Sequence, residues 1–375
     1  MNVAFGLTVF QRGRARNCAD GIANYSHALL QHLGHIPDVH LTPFTFAVHA
    51  PVAGEGELLD LGRFVPQAVF SHFTGLPFPR LTAHCLRGID LIHATDHWIP
   101  VTSRVPVLAT LMDAIPLAHP EWATARLRGL KNRLWRQAAR KARHVLTISE
   151  YSRNEIIRWF GIPESRISVA SLGVDARWFV PPTADARARL VDIYALPERY
   201  FLFLGTLQPR KNLATLIRAH RMLSPSLRRE FPLVVAGRPG WACAEEVAAL
   251  DAGDEGALRW LKFVPDADIV ALVHGASAML LPSRHDGFGL PVLEAFAAST
   301  PVICANGSAL PEVAGDAALL VDPEDAAGMA EAMAHLVQDD TLVAQLRERG
   351  LARAKYFSWE RTAELTAACY RQLSG

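Results

Sequence analysis

The stretch AMLLPSRHDGFGLPVLEAFA, residues 278–297, contains the three parts of a ligand-holding turn. Ala278–Leu281 is an unbroken apolar run, the pattern of a strand buried on both faces. Pro291 suits the first turn of a helix, where its missing N–H would have had no partner anyway. Gly287 and Gly289 lie between, and without a Cβ they let the backbone come close to a ligand. Strand, glycine loop and helix in that order aim free N–H groups and a positive dipole end at an anion. Asp286 precedes the loop, and Glu294 follows eight positions later in what reads as the first helical turn. They are either an acid and a nucleophile or two grips on a ligand. GFGLPV lacks the third glycine of a dinucleotide fingerprint and lies late in the chain, so that reading fails.

The same alternation of short apolar runs and helical patterns extends outward in both directions, which predicts parallel α/β units. The runs are Val3–Phe10, Leu91–His93, Val107–Thr110, His144–Ser149 and Ile167–Ala170, then Phe201–Gly205, Leu233–Ala236, Trp260–Val264, Ala278–Leu281, Val302–Ala305 and Ala318–Val321. Periodic helical stretches such as Ile22–Leu33 and Asn212–Leu223 separate them. At Gly173–Arg189 the periodicity lapses across two consecutive prolines, which reads as a linker. The chain's 375 residues exceed the roughly 250–300 at which a single core stops growing. Two doubly wound domains, residues 1–178 and 179–357, are expected, with ligands beyond the strands' carboxyl ends and a cleft between the domains. Ser358 is a suitable N-cap for a last helix, residues 358–375.

Composition excludes several classes. With 38 basic and 37 acidic side chains the formal charge is +1, too little excess for a nucleic-acid binder. Cys18, Cys85, Cys243, Cys304 and Cys369 form no CxxC and no pair at metal-ligand spacing, so neither zinc nor a disulfide framework is expected. A cytoplasmic location fits that usage. The apolar N-terminus reads as a first strand, not a signal peptide, and no run reaches the ~18–20 residues of a membrane span.

Four further stretches bear on chemistry. In FLFLGTLQPRKN (201–212) a strand ends near Gly205, and Arg210 and Lys211 fall where a helix begins. The dipole disfavours cations there, so a bound anion such as a diphosphate explains them. Asp20-Gly21 opens a helix after a strand. In LMDAIP (111–116) Asp113 ends a strand, either facing the cleft or capping a helix. His93 and His97 also sit at a strand end, where a histidine is more often structural. Arg126–His144 carries eight Arg or Lys and no acid. With Leu127, Leu130, Leu134 and Ala138 as a core stripe, its basic face is either simply solvated or a platform for anionic inner-leaflet lipid.

Together DGFGLPVLE, GTLQPRKN, NGSALPEVAGDAALLVDP (306–323), LTISEYSRNEI and PLAHPEW resemble the retaining glycosyltransferases of the GT4 family, over nearly the whole chain. AGRPGW (236–241) is similar to a branch containing many bacterial mannosyltransferases. The resemblance implies the GT-B fold, with an acceptor domain, then a donor domain, and the last helix, residues 358–375, crossing back to the first domain. It implies a nucleotide-sugar donor such as GDP-mannose, a glycan or lipid-linked acceptor, and no metal cofactor. Glu294 would then hold the ribose, and Asp286 with the backbone of Gly287, Phe288, Gly289 and Leu290 the sugar. Arg210 and Lys211 would hold the diphosphate, Gly21 would approach it, and Lys262 and Val264 would border the base. Two positions depart from the family pattern. Asp286 stands where Glu is usual, shortening the reach by about 1.5 Å, and Met112 precedes Asp113 where the family has histidine. The carboxylates are therefore grips: a glycosidase pair would flank a scissile bond at about 5–9.5 Å and need no cations. The alternatives are a nucleotide-sugar-binding subunit of weak turnover and an epimerase or glycosidase on the same fold.

Overall fold

A computed structural model describes residues 1–15, 21–46, 58–81, 85–122 and 128–374. Cys18, Asp20, Arg126 and Leu127 lie outside the described residues. The chain divides into two compact units, one of Met1–Gly173 with Trp359–Gly375 and the other of Val174–Ser358.

The first unit holds seven parallel strands: β1 (Asn2–Gly6), β2 (His40–Thr45), β3 (Leu59–Asp60), β4 (Leu91–Ala94), β5 (Val107–Thr110), β6 (His144–Thr147) and β7 (Ile167–Val169), in the order β3-β2-β1-β4-β5-β6-β7. The second holds six: β8 (Phe201–Leu204), β9 (Leu233–Ala236), β10 (Leu258–Lys262), β11 (Ala278–Leu281), β12 (Val302–Ala305) and β13 (Leu319–Val321), in the order β10-β9-β8-β11-β12-β13. Both are doubly wound Rossmann orders, reversing between β1 and β4 and between β8 and β11. The loops leaving those neighbouring strands diverge and open a crevice. The apolar runs became central strands because water is excluded on both faces: β4, β5, β6, β9, β11 and β12 are buried at every residue.

Two expected strands need correction, and two strands were not expected. The Val3–Phe10 run is not one strand. The strand stops at Gly6, Val9 turns its N–H to Asp96 Oδ2 at 3.2 Å, and Thr8–Ala15 is helical. The run at Trp260–Val264 lies two residues too late, because Lys262 takes a φ of +58° and ends the strand. Strands β2 and β3 had no signal, since Pro43 interrupts HLTPFT. Proline is tolerated there because β3 pairs only with Phe44 and Thr45, leaving Pro43 on an edge that needs no N–H.

The first unit ends at Gly173, ahead of the boundary expected at 178. Val174 donates its N–H to Phe357 at 3.1 Å, and buried Trp178 accepts from His274 Nε2 at 3.0 Å, both within the second unit. The last helix, Trp359–Ser374, belongs to the first unit. Tyr370 is fully buried with its hydroxyl 2.6 Å from His93 Nδ1, and His93 Nε2 lies 2.8 Å from Thr110 Oγ1. Thr362 donates to the Ser171 carbonyl at 2.6 Å, and Arg371 forks onto Asp38 at 2.8 and 2.9 Å. His93 is thus a core histidine, its pKa pushed down to about 3 by burial. Tyr370→Phe strands a buried ring nitrogen, and should cost about 1–3 kcal/mol in chemical denaturation, with faster hydrogen exchange in β4 and β5.

Candidate functional site

The crevice of the second unit lies where β8 and β11 run side by side, Phe201 opposite Ala278 and Leu202 opposite Met279. Their carboxyl ends deliver two loops separated by some seventy residues of sequence. After β8, Pro209–Lys211 forms a single tight turn ahead of the Leu213–Met222 helix. After β11, the loop through Asp286 runs to Gly289, whose φ of +109° opens the Leu290–Ala297 helix. A Cβ at Gly289 would come within 2.6 Å of Leu310, so both the turn and the packing require glycine.

The loops meet at one carboxylate oxygen. Lys211 Nζ donates to Asp286 Oδ1 at 2.7 Å, and Arg210 Nη1 donates to the same atom. Arg210 also donates to the His285 carbonyl at 2.6 Å, and its own carbonyl accepts the Arg284 N–H at 2.9 Å. Burial alone would raise the Asp286 pKa, but the Lys211 and Arg210 charges overcome it and hold it at about 2. Burial draws the pKa of Lys211 down, opposed by Asp286. Two cations on one anion leave the cluster one positive charge in excess. The Ser283 hydroxyl also helps to lower the Asp286 pKa, but neither it nor the buried Asp286 Oδ2 makes a hydrogen bond of normal geometry among the described residues.

Glu294 is the fifth residue of the Leu290–Ala297 helix, not in its first turn as expected, because the helix starts at Leu290 ahead of the proline. Burial pushes its carboxyl up to about 7, Arg177 pulls it down, and Asp175 and Asp266 raise it. It therefore changes charge near neutrality. Phe288 faces the core, edge-on to Phe357 at 5.7 Å, so residues 287–289 offer backbone and not side chain to a ligand. Lys262 ends β10 exposed, with Nζ 5.2 Å from the Trp260 ring centre, and Val264 is buried. Between them, Phe263 is half exposed under the Arg238 guanidinium at 4.0 Å.

The chain matches the family models described as Glycosyltransferase Family 4 over residues 19–178 and Glycosyl transferases group 1 over residues 193–353. It is 33% identical over 325 residues to O-antigen chain mannosyltransferase B of Escherichia coli, covering 86% of this chain and 84% of that one. The chain belongs to glycosyltransferase family 4. Among solved structures the glycosyltransferase superposes on the sucrose-phosphate synthase of Thermosynechococcus elongatus (TM-score 0.75, 21% identity, 100% of this chain and 99% of that one). It also superposes on Anabaena HepE in complex with UDP-glucose (TM-score 0.73, 18% identity, 100% of both chains). The fold is GT-B.

Of the residues singled out in the glycosyltransferase's sequence, Arg210, Lys211, Asp286 and the Gly287–Leu290 backbone come together, with Glu294 on the helix that follows. Gly21 and Asp113 lie in the first unit. Gly21 begins the Gly21–Leu33 helix with open space around its Cβ position, so packing does not demand glycine there. Asp113 Oδ1 accepts the Ile115 N–H at 3.0 Å, ahead of the short Ile115–Ala118 helix.

Two positioning residues went unread. Asn212, buried in the left-handed region at φ +56°, donates its side-chain amide to the Pro282 carbonyl at 3.1 Å and the Pro323 carbonyl at 2.6 Å. It thereby fastens the β8 loop to the β11 and β13 loops. Ser308 Oγ accepts the Asp286 N–H at 3.1 Å. An asparagine closing GTLQPRKN was the available signal, since Asn tolerates left-handed backbone.

Asp286→Asn should destabilise the second unit by about 3–5 kcal/mol, because it leaves two largely buried cations without their anion. Inorganic pyrophosphate should then raise the melting temperature more in the variant than in the parent. An equal shift in both would separate the cations from anion binding.

Proposed function

We propose that this glycosyltransferase moves a mannosyl group from a nucleoside-diphosphate donor, GDP-mannose, to a glycan or lipid-linked acceptor in bacterial polysaccharide synthesis, with retention at the anomeric carbon. The observation that carries it is the convergence of Arg210 and Lys211 on Asp286 in the β8–β11 crevice. The likeness to an O-antigen mannosyltransferase over most of both chains supports the sugar.

In this reading the diphosphate bridges Arg210 and Lys211. The bond from the anomeric carbon to the phosphate oxygen breaks as charge builds on that oxygen, and the two cations stabilise it. Such preorganised charge is worth ~3–4 kcal/mol per group. The acceptor hydroxyl attacks from the same face, and its proton passes to the departing phosphate oxygen. Asp286 Oδ2 takes a hydroxyl of the sugar, which gives that atom a bond of normal geometry. The fixed cations supply the charge that a metal would otherwise bring, so no resident metal is proposed. The exposed basic face of the Arg128–Lys141 helix is proposed to rest on anionic lipid at the cytoplasmic surface. No helix among the described residues is long and apolar enough to cross a membrane.

Incubation with GDP-mannose and UDP-glucose tests the reading: GDP-mannose should sustain acceptor-dependent release of nucleoside diphosphate, and UDP-glucose should not. Lys211→Ala should lower kcat about 100-fold or more with little change in KM, as expected when charge is lost mainly from the transition state.

Glu294 supplies a pH test. Two ribose hydroxyls donate to the ionised carboxylate, whereas the free protein holds it protonated up to about pH 7. Binding therefore releases a proton, and nucleoside affinity should rise as pH increases toward 7, by up to about tenfold per unit below the pKa, and then level off. Guanosine titrated calorimetrically across that range reads the effect without a titrating phosphate, and Glu294→Gln should flatten it.

A further inference from the structure

The first unit contains a cavity of about 560 Å³ that the donor chemistry does not use. It lies beside two helices, Phe64–Thr74 and Arg128–Lys141. Its apolar wall includes Phe64, Ala68, Phe78, Ile99, Leu134 and Trp135, a volume and lining typical of small-ligand sites.

The second helix was expected to turn Leu130, Leu134 and Ala138 into the core, but only Ala138 of these is buried. Leu130 is 42% exposed and lines the cavity, as does Val65, 57% exposed on the facing helix. Phe70, Phe73 and Leu76 extend the exposed apolar surface along the Phe64–Thr74 helix and just past its end. The basic helix presents Arg128, Lys131, Leu134, Trp135, Ala138 and Lys141 to the cavity, cations at the ends and a mainly apolar middle in which Asn132 and Gln137 are the polar members. Ser71 also lines it. Its hydroxyl is buried at 2% exposure and has no hydrogen-bond partner among the described residues.

We propose that this cavity receives the hydrocarbon tail of a phosphate-bearing amphiphile, with its anionic head at Arg128 and Lys131. An apolar chamber with cations at its rim fits a molecule apolar along its length and negative at one end. A sugar alone would leave the chamber wet, and inorganic phosphate would leave it empty. The proposal rests on the transferase reading only in naming this amphiphile as the acceptor. Tail binding itself requires no donor and no residue of the second unit.

Trp98 and Trp135 line the cavity and report on it. Dodecyl phosphate, below its micelle concentration, should quench tryptophan fluorescence saturably, and a chain brominated at its far end should quench more deeply at equal occupancy. Inorganic phosphate should do neither. Ala68→Phe fills the chamber and should weaken dodecyl phosphate binding roughly tenfold or more, the loss of several buried methylenes. Lys131→Glu should weaken it about three- to tenfold at low salt. Both variants should keep the parent's affinity for GDP, so failure of the donor reading and failure of this one are told apart. Unchanged affinity in Ala68→Phe overturns the proposal. So does equal quenching by plain and brominated chains in the unsubstituted protein, which needs no variant to fold. Binding to phosphatidylglycerol vesicles without any response to monomeric dodecyl phosphate also overturns it, and would leave this helix with the bilayer contact alone.

Discussion

The second unit is organised around a single oxygen atom. Asp286 Oδ1 receives Arg210 and Lys211 together, and this shared contact turns two distant loops into one site. Without the carboxylate, two cations would face each other in a largely buried place, and like charges at short range in low dielectric repel strongly. Without the cations, burial would push the carboxyl toward its neutral form. Each group is ionised because the others are, and the excess positive charge is what an entering diphosphate would meet. The Ser308 hydroxyl, accepting the Asp286 N–H, and the Asn212 amide hold both loops in place.

Glu294 stands under the opposite regime. It has an arginine in its surroundings but two aspartates as well, and burial dominates, so its proton comes off near neutrality. Only seven residues therefore separate a carboxylate that stays ionised through the physiological range from one that titrates within it. The difference lies in the surroundings: Asp286 faces two cations at hydrogen-bond distance, whereas burial dominates at Glu294.

The first unit is tied together by polar contacts inside its core. His93, Thr110 and Tyr370 form a chain in which every buried nitrogen and hydroxyl has a partner, so the last helix of the sequence is fastened to a central strand of the first sheet. The same unit leaves apolar side chains of two helices facing a cavity and solvent. A core sealed so carefully on one side and open on the other marks the open side as a place for something apolar.

The amino-acid sequence by itself determined the α/β class, most of the strands and which residues stand in the two loops that meet. Central parallel strands must be apolar on both faces, and loops that hold anions must carry glycine and cations, so these properties are written locally. Strands β2 and β3 escaped because β3 is a two-residue edge strand, and it pairs with so little of β2 that Pro43 is tolerated there and no long apolar run is needed. The offset of Glu294 from the first helical turn escaped because a proline signals a helix start only to within a residue. What tertiary structure decided is which distant loops meet. The reversal of strand order between β8 and β11 sets Lys211 against Asp286, and between β1 and β4 it sets Val9 against Asp96. Likewise the exposure of Leu130 depends on what packs against its helix, which no helical periodicity contains. Pairing across seventy residues is a property of sheet topology, and a local pattern carries no record of it.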